Sequence, residues 1–205
     1  VSRKYTDNIH KKGPERSAQR NYGILEIACG DYVMFVDADM ILSPLLIARC
    51  VETIEGGKCI ALHVPEIVLG QQYLSRVRRF ERSFYDGTVV DGARFFKKEI
   101  FEQVKGFDET MSGPEDWDID KKIKKYGRIG LVSRESPENI DWGFWSLSGF
   151  VRERGVSPEK QGSVIYHNEA EFDLSNYLRK KWYYSQDLSV YIAKWGANDP
   201  DVKKQ

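Results

Sequence analysis

The amino-acid sequence predicts an α/β fold in which a mixed sheet is flanked by helices. Short apolar runs with strand character alternate with segments whose apolar residues recur every three or four positions, as they do in helices. This alternation is typical of a sheet covered by helices, where ligands bind at the carboxyl ends of the strands. An acidic tripeptide directly follows the first predicted strand, so a ligand site is expected there.

Proline near helix starts and glycine just beyond helix ends set the boundaries of the first elements. They predict a helix at residues 14–30, a buried strand at 32–36, a second helix between Ser43-Pro44 and Gly56-Gly57, and a strand at 58–64 that Pro65 closes. Periodicity continues this order with helices at 71–85, 98–104 and 115–126, and with strands at 89–96 and 163–166.

Two features complete the domain organisation. Ser112 stands three residues before Glu115 with Pro114 between them, which predicts a capping box at the start of the helix at 115–126. Residues 134–162 are polar with scattered aromatic side chains and predict a long, functional loop. We expect residues 1–166 to form an α/β domain, and residues 167–205, with a helix or helix pair at 173–195, to form a helical extension packed on it.

Composition narrows the class of protein. The 205 residues can form one domain with a substantial core, and lysine plus arginine equal aspartate plus glutamate at 31 each, so no overall charge favours nucleic acid. Three cysteines without C-x-x-C spacing predict buried free thiols in a reducing compartment. The longest apolar stretches fall far short of the roughly 20 residues that a membrane span needs, and no export signal is visible, so we expect a cytoplasmic protein.

The strongest local signal is Asp37-Ala38-Asp39, which follows the strand at 32–36. Mg²⁺ and Mn²⁺ take oxygen ligands, and a substrate diphosphate completes their shell where a protein supplies one or two carboxylates. Two solvated acids in a turn are the simpler alternative.

Other charged residues have both a functional and a structural explanation. Arg16 and Arg20, followed by Asn21, lie one helical turn apart and suit phosphate or a base edge, although arginines on a solvated helix face are common. Glu115 and Asp116 lie in the first turn of a helix, where the helix dipole alone favours carboxylates. Asp116 is also placed to accept a proton from a hydroxyl nucleophile.

These residues carry a family resemblance over about residues 13–130. The runs Arg16-x-x-x-Arg20-Asn21-x-Gly23, Ala28-x-Gly30-Asp31-Tyr32 and Phe35-x-Asp37-Ala38-Asp39 resemble the metal-site segment of family 2 glycosyltransferases of the GT-A fold. Gly106-Phe107-Asp108-Glu109, followed by Glu115-Asp116-Trp117-Asp118, resembles that family's acceptor-side segment.

The resemblance implies a Rossmann-like mixed sheet and a metal-dependent, inverting transfer of a sugar from a nucleotide donor to an acceptor hydroxyl. Asp39 would bind Mn²⁺ or Mg²⁺, Asp37 would contact metal, ribose or diphosphate, and Asp116 would be the catalytic base. The resemblance also implies nucleotide binding by Arg16, Arg20 and Asn21, with Glu115 beside them. We expect a UDP- or GDP-linked donor and, from family habit, a glycan or lipid-linked acceptor.

Two further positions follow from related transferases. His167, after the strand at 163–166, stands where relatives have a histidine that binds the metal or the diphosphate; an ordinary strand-end histidine is the alternative. The run Arg179-Lys180-Lys181-Trp182 resembles the arginine-tryptophan motif of processive relatives, which places Lys180 near the diphosphate. Leu178 and Lys181 replace that motif's glutamine and arginine, which argues against processive synthesis and leaves open a solvated or lipid-facing basic patch.

The main departure from the family lies before Arg16. The family's first strand, helix and second strand, which build much of the nucleoside pocket, do not fit into the residues up to Gly13. We therefore expect this segment alone to bind donor weakly or not at all. The basic, aromatic terminal helix is compatible with peripheral contact with the inner face of a membrane, and amphipathic packing on the domain is the more common role of such a helix.

Two other functions share parts of this acidic pattern. A haloacid-dehalogenase-like phosphatase also uses two aspartates after a strand, but it requires a threonine where Ile41 stands. A non-catalytic nucleotide-sugar-binding module of a glycan-synthesis complex would keep the fold without turnover. The presence of both Asp39 and Asp116 argues against such a module, and the missing first elements argue for it.

Overall fold

The computed structural model describes residues 2–132, 162–169 and 172–203, and its fold there is α/β with two mixed sheets flanked by helices. The helices are α1 (Arg16–Asn21), continued by a π-helical segment (Tyr22–Ile27), α2 (Leu46–Glu55), α3 (Tyr73–Arg82), α4 (Lys98–Gln103), α5 (Glu115–Lys124), α6 (Leu174–Ser185), α7 (Leu188–Trp195) and α8 (Pro200–Lys203), besides a 3₁₀ turn at Ser2–Lys4. The strands are β1 (Tyr32–Met34), β2 (Met40–Leu42), β3 (Ala61–His63), β4 (Glu66–Leu69), β5 (Ala93–Lys97), β6 (Ile129–Leu131) and β7 (Ile165–Asn168).

Each sheet combines parallel and antiparallel pairing. The larger sheet has the order β1-β5-β3-β6, with β3 and β6 parallel, and the smaller one has the order β2-β7-β4, with β4 and β7 parallel. Pro65 lies between β3 and β4, so the chain passes from the first sheet to the second within two residues. This short passage brings β4 of the smaller sheet next to the end of β3.

The hydrophobic core fixes the helix that carries the predicted base. Ile119 and Ile123 of α5 are fully buried in a cluster with Phe96 of β5 and Phe101 of α4. A second cluster packs α2 against the sheets through Leu46, among others. Because α5 is anchored along its length, its first turn has a fixed position relative to β5.

Several expectations about local structure were wrong. The short strands β2, β4 and β6 were not predicted, because three or four residues give too little periodicity to recognise. Cys29 is exposed, whereas Cys50 and Cys59 are buried, and all three thiols are free. Residues 134–162 lie almost wholly outside the described residues.

The capping box at Ser112 was also wrong. Pro114 occupies the N-cap position of α5 without a side-chain cap, and the Ser112 hydroxyl donates instead to Glu15 Oε2 at 2.9 Å. The Glu115 carboxylate accepts the backbone N–H of Gly113, which has φ of 107°. Proline has no side-chain oxygen that could accept a backbone N–H, so the predicted capping box does not form. The hydrogen bond between Gly113 and Glu115 takes its place at the start of α5.

The C-terminal helices pack on α5. Tyr191 of α7 is fully buried against Trp117, and Trp195 Nε1 donates to Asp118 at 2.8 Å. Strand β7 runs across the expected domain boundary after residue 166, so the strand itself joins the two parts. No helix in the described part of the chain combines the length and the apolar character needed to cross a bilayer.

We predict that Gly106→Ala destabilises the fold by roughly 2–4 kcal/mol. Gly106 has φ of 61°, and a β carbon there would collide with Asn21 Oδ1, which accepts the Phe107 N–H at 2.8 Å. Urea unfolding would measure the loss. Gly57→Ala is the matched control, because Gly57 has φ of 75° and no atom near the added carbon, so it reports backbone strain alone. Equal losses in the two variants would contradict the collision.

Candidate active site

The two aspartates of the acidic tripeptide lie in a turn between the two sheets. The Met40 N–H donates to the Asp37 carbonyl at 3.1 Å, which closes the turn after β1. Met40 then begins β2 and pairs in register with His167 of β7, and the Asn168 N–H donates to the Asp39 carbonyl at 2.9 Å. This pairing brings His167 beside Asp39.

Arg20 contacts acidic residues from both of the sequence blocks that carry the family resemblance. Its guanidinium lies 3.4 Å from Asp37 Oδ1, 3.2 Å from Asp116 Oδ1 and 3.6 Å from Glu115 Oε1. It also lies 4.0 Å from the centre of the Phe35 ring, and its side chain is only 9% exposed. A guanidinium can bridge several carboxylates while stacking on an aromatic ring, so one arginine holds these acids at one site.

A buried ion-pair group supports the other side of Asp37. Arg94 of β5 lies 3.4 Å from Asp37 Oδ2 and 2.5 Å from Glu66 Oε1, and its guanidinium lies 5.2 Å from the centre of the Phe35 ring. Arg82 of α3 also pairs with Glu66 and lies 3.0 Å from Asp91 Oδ1. Sequence reasoning missed these four residues.

A signal for them existed. Glu66 stands inside the apolar run Val64-Pro65-Glu66-Ile67-Val68, and Arg94 stands between Ala93 and Phe95. A charged residue within a strand that is buried on both faces requires a partner of opposite charge, because an isolated buried charge is very costly. Glu66 and Arg94 are two such residues of opposite charge, so each predicts the other as its buried partner.

His167 connects Asp39 to this buried group. Its Nε2 lies 3.3 Å from Asp39 Oδ2, and its Nδ1 lies 3.5 Å from Glu66 Oε2. At the opposite end of the site, Arg16 Nη2 donates to Glu115 Oε1 at 2.6 Å. Of the residues singled out from the sequence, the structure therefore brings seven together: Arg16, Arg20, Asp37, Asp39, Glu115, Asp116 and His167.

Two of the residues singled out lie apart. The Asn21 amide donates to the Phe107 carbonyl and to Glu109 Oε1, each at 2.9 Å, and holds the turn before α5. Its side chain is buried in those contacts, so nucleotide binding by Asn21 stays a prediction without support from its position. Lys180 is exposed on α6, and no contact in the described part of the chain joins it to the site.

Comparison with known proteins adds no relative. No family model, curated protein or solved structure matches this chain. The chemistry of the site therefore has to be argued from its own residues.

The neighbouring charges fix the protonation of the site. Burial alone would raise the pKa of Asp37, but Arg94 and Arg20 outweigh burial and lower that pKa, so the carboxylate is ionised. Burial would lower the pKa of His167, but its hydrogen bond to Glu66 and the charges of Glu66 and Asp39 raise it. Burial and the Asp116 charge raise the pKa of Glu115.

Asp39 and His167 are the described residues that best fit a divalent metal. One carboxylate oxygen and one imidazole nitrogen lie 3.3 Å apart, and the Asp39 side chain is 55% exposed, so ligand oxygens can reach it. Both donor types suit Mn²⁺. Asp37 differs, because each of its oxygens already faces an arginine. Within residues 2–132, 162–169 and 172–203, no group of three or more His, Cys, Asp or Glu side chains is arranged to hold a metal.

We predict that Glu66→Ala lowers the free energy of unfolding by about 3 kcal/mol or more. The substitution removes the buried carboxylate with which both Arg94 and Arg82 pair, so two buried positive charges lose that partner. Urea unfolding measures the loss. Glu102→Ala is the control, since Glu102 is 50% exposed in its pair with Lys98 and should change stability by less than about 1 kcal/mol. Similar small losses in both variants would show that the buried pairing is not required.

We predict that the free energy of unfolding of the Asp91→Asn variant rises relative to that of the wild type as pH increases from 5 to 8. Burial raises the pKa of Asp91 to about 7 despite the nearby Arg82, against about 3.9 in unfolded chains. Between those values the folded state holds a proton that the unfolded state has released, so this carboxyl lowers stability as pH rises.

The expected relative gain is on the order of 2 kcal/mol. Urea unfolding of both proteins at several pH values measures it, and a difference that does not change with pH would contradict the prediction.

Proposed function

We propose that this chain carries the catalytic part of a metal-dependent, inverting glycosyltransferase, which moves a sugar from a nucleoside-diphosphate donor to an acceptor hydroxyl. One observation supports the proposal most. Arg20 contacts both Asp37 and Asp116, so the carboxylates expected on the donor side and on the acceptor side occupy one site. The resemblance to family 2 glycosyltransferases of the GT-A fold assigns complementary tasks to these two aspartates.

Asp116 is proposed as the general base. Its carboxylate is partly exposed, and its β carbon packs against Gly92, where an added β carbon would lie 2.8 Å away. In the transfer, the acceptor hydroxyl gives its proton to Asp116 as its oxygen bonds to the anomeric carbon. The bond from that carbon to the leaving diphosphate breaks, and the bonding electrons leave with the diphosphate.

The remaining residues are proposed to act on the leaving group. A divalent cation held by Asp39 and His167, with Asp37 close by, supplies Lewis-acid stabilisation of the diphosphate when bound. Arg20 adds positive charge next to Asp37, and Arg16, at the opposite end of the site, would contact the nucleotide. The carboxylate of Glu115 contacts both arginines and orients them.

The proposed donors are UDP- or GDP-linked sugars, and the proposed acceptor is a glycan or a lipid-linked hydroxyl. Both come from the family resemblance.

We predict that Asp39→Ala lowers Mn²⁺-dependent affinity for UDP or GDP at least about tenfold, because it removes the exposed carboxylate ligand. Calorimetry with each nucleotide, with and without Mn²⁺, measures this loss. Asp31→Ala is the matched control, since Asp31 is an exposed aspartate before β1 and outside the site. Unchanged Mn²⁺-dependent affinity in Asp39→Ala would contradict the metal assignment.

Asp116→Asn separates catalysis from binding. It should retain nucleotide affinity and lower the release of UDP or GDP from sugar donors by ~10²–10⁴-fold, the usual contribution of a general base. Nucleotide release is measured with a coupled assay over a panel of UDP- and GDP-sugars. Metal-dependent binding without release in the wild type would instead support a non-catalytic nucleotide-sugar-binding module.

A further inference from the structure

Helix α3 is amphipathic in the opposite sense to an ordinary surface helix. Three of its four arginines turn inward: Arg82 pairs with Glu66, Arg78 contacts Glu169, and Arg79 donates to the carbonyl oxygens of Val68 and Gly70 at 2.7 Å. Its outward face is apolar. A helix that lies against water has its polar side outward, so the outward face of α3 is not explained by solvent.

The outward face forms one continuous stripe. Tyr73, Val77, Phe80 and Phe84 recur at helical spacing, and Tyr73, Phe80 and Phe84 are between 65% and 78% exposed. Phe80 and Phe84 pack edge to face, with ring centres 5.0 Å apart. The buried arginines hold the helix in this orientation, so the stripe cannot turn inward without breaking the ion pairs of the site.

Helix α6 adds a second exposed apolar stripe, formed by Leu174, Leu178 and Trp182, of which Trp182 is 68% exposed. The contacts between the two helices follow the same order along both of them, beginning with Arg78, which lies over the Tyr177 ring. One turn further along each helix, burial would raise the pKa of Glu81, and the charge of Lys181 helps to lower it instead. The Ser75 hydroxyl, earlier in α3, donates to the Glu169 carbonyl before α6. They therefore run in the same direction. Residues at helical spacing share one face of their helix. Two parallel helices that touch through Arg78 and Tyr177 therefore present both stripes on the same side of the molecule.

The surface around the stripes is positive. Exposed basic residues border them, namely Arg76, Arg179, Lys180 and Lys181. Of the carboxylates near the stripes, Glu81 and Glu169 are paired with Arg78, and Asp173 caps the start of α6 by accepting the backbone N–H groups of Ser175 and Asn176. Aromatic residues beside arginine and lysine match the boundary between the headgroups and acyl chains of an anionic bilayer.

We propose that the α3–α6 face, defined by these two stripes and their basic border, docks on the surface of an anionic lipid bilayer. A second copy of the chain fits less well, because a symmetric pairing of this face would put arginine and lysine opposite arginine and lysine. The proposal does not depend on the proposed transfer reaction.

Vesicle sedimentation tests the proposal. The wild type should bind vesicles of phosphatidylcholine with phosphatidylglycerol and should bind pure phosphatidylcholine vesicles weakly, with added salt reducing the binding. The double variant Phe80→Ser and Phe84→Ser should bind at least about tenfold less. Tyr126→Ser, which alters an aromatic residue that is 50% exposed elsewhere on the surface, should bind as the wild type does.

Tryptophan emission gives an independent measure. Anionic vesicles should shift the emission of the wild type to shorter wavelength, and Trp182→Phe should remove most of that shift. Equal vesicle binding by the wild type and the double variant would overturn the proposal. A dimer that the double variant disperses, without vesicle binding by the wild type, would overturn it as well and assign the face to a second copy.

Discussion

The site depends on the ionised carboxylate of Glu66, which lies almost without solvent contact between Arg94 and Arg82. Burial would raise the pKa of Glu66, but Arg94 and the hydrogen bond from His167 lower it instead. This one carboxylate connects β4 to β5 of the other sheet, to α3 and to β7. Removing two charges from water is unfavourable unless they are paired, so the group fixes the relative position of the elements that carry it.

The same ion-pair group holds Asp37, which lies in the more exposed part of the site. Arg94 reaches from Glu66 to Asp37, and Arg20 approaches Asp37 from the other side, while both guanidinium groups lie over Phe35. Asp37 is thereby ionised and oriented before any ligand arrives. An anionic ligand that approaches Arg20 must compete with Asp37, Glu115 and Asp116, whereas Asp39 remains open. The site is therefore strongly ordered on one side and accessible on the other.

Much of this arrangement could be predicted from the sequence, because the signals were local. Proline and glycine marked the first helices, and the acidic tripeptide after an apolar strand predicted where Asp37 and Asp39 lie. Arg20 and Asp116 were each singled out through the family resemblance, and their contact across 96 residues was not predicted. The pairing of β2 with β7 is likewise a long-range contact, between strands of three and four residues, which leave almost no periodic signal.

The misses have physical causes. Asn21 was grouped with Arg20 because the two are adjacent, but adjacent helical residues point in different directions, and Asn21 faces the turn at Phe107. Glu66 was overlooked because Pro65 was taken to end the strand region, although the chain continues directly into β4. The inverted face of α3 was not recognised, because amphipathic periodicity normally indicates that the apolar side is buried, whereas in α3 three arginines lie on the buried side.

The central claim is that one site contains both the metal position at Asp39 and the base at Asp116. Paramagnetic broadening of backbone amide NMR signals by Mn²⁺, added with UDP or GDP, tests it most directly and also detects weak binding. The account predicts that signals of residues 38–40 and 166–168 broaden first, that those of residues 115–117 follow, and that those of residues 50–55 in α2 stay sharp. Broadening that begins elsewhere and leaves residues 38–40 and 166–168 unaffected would contradict it.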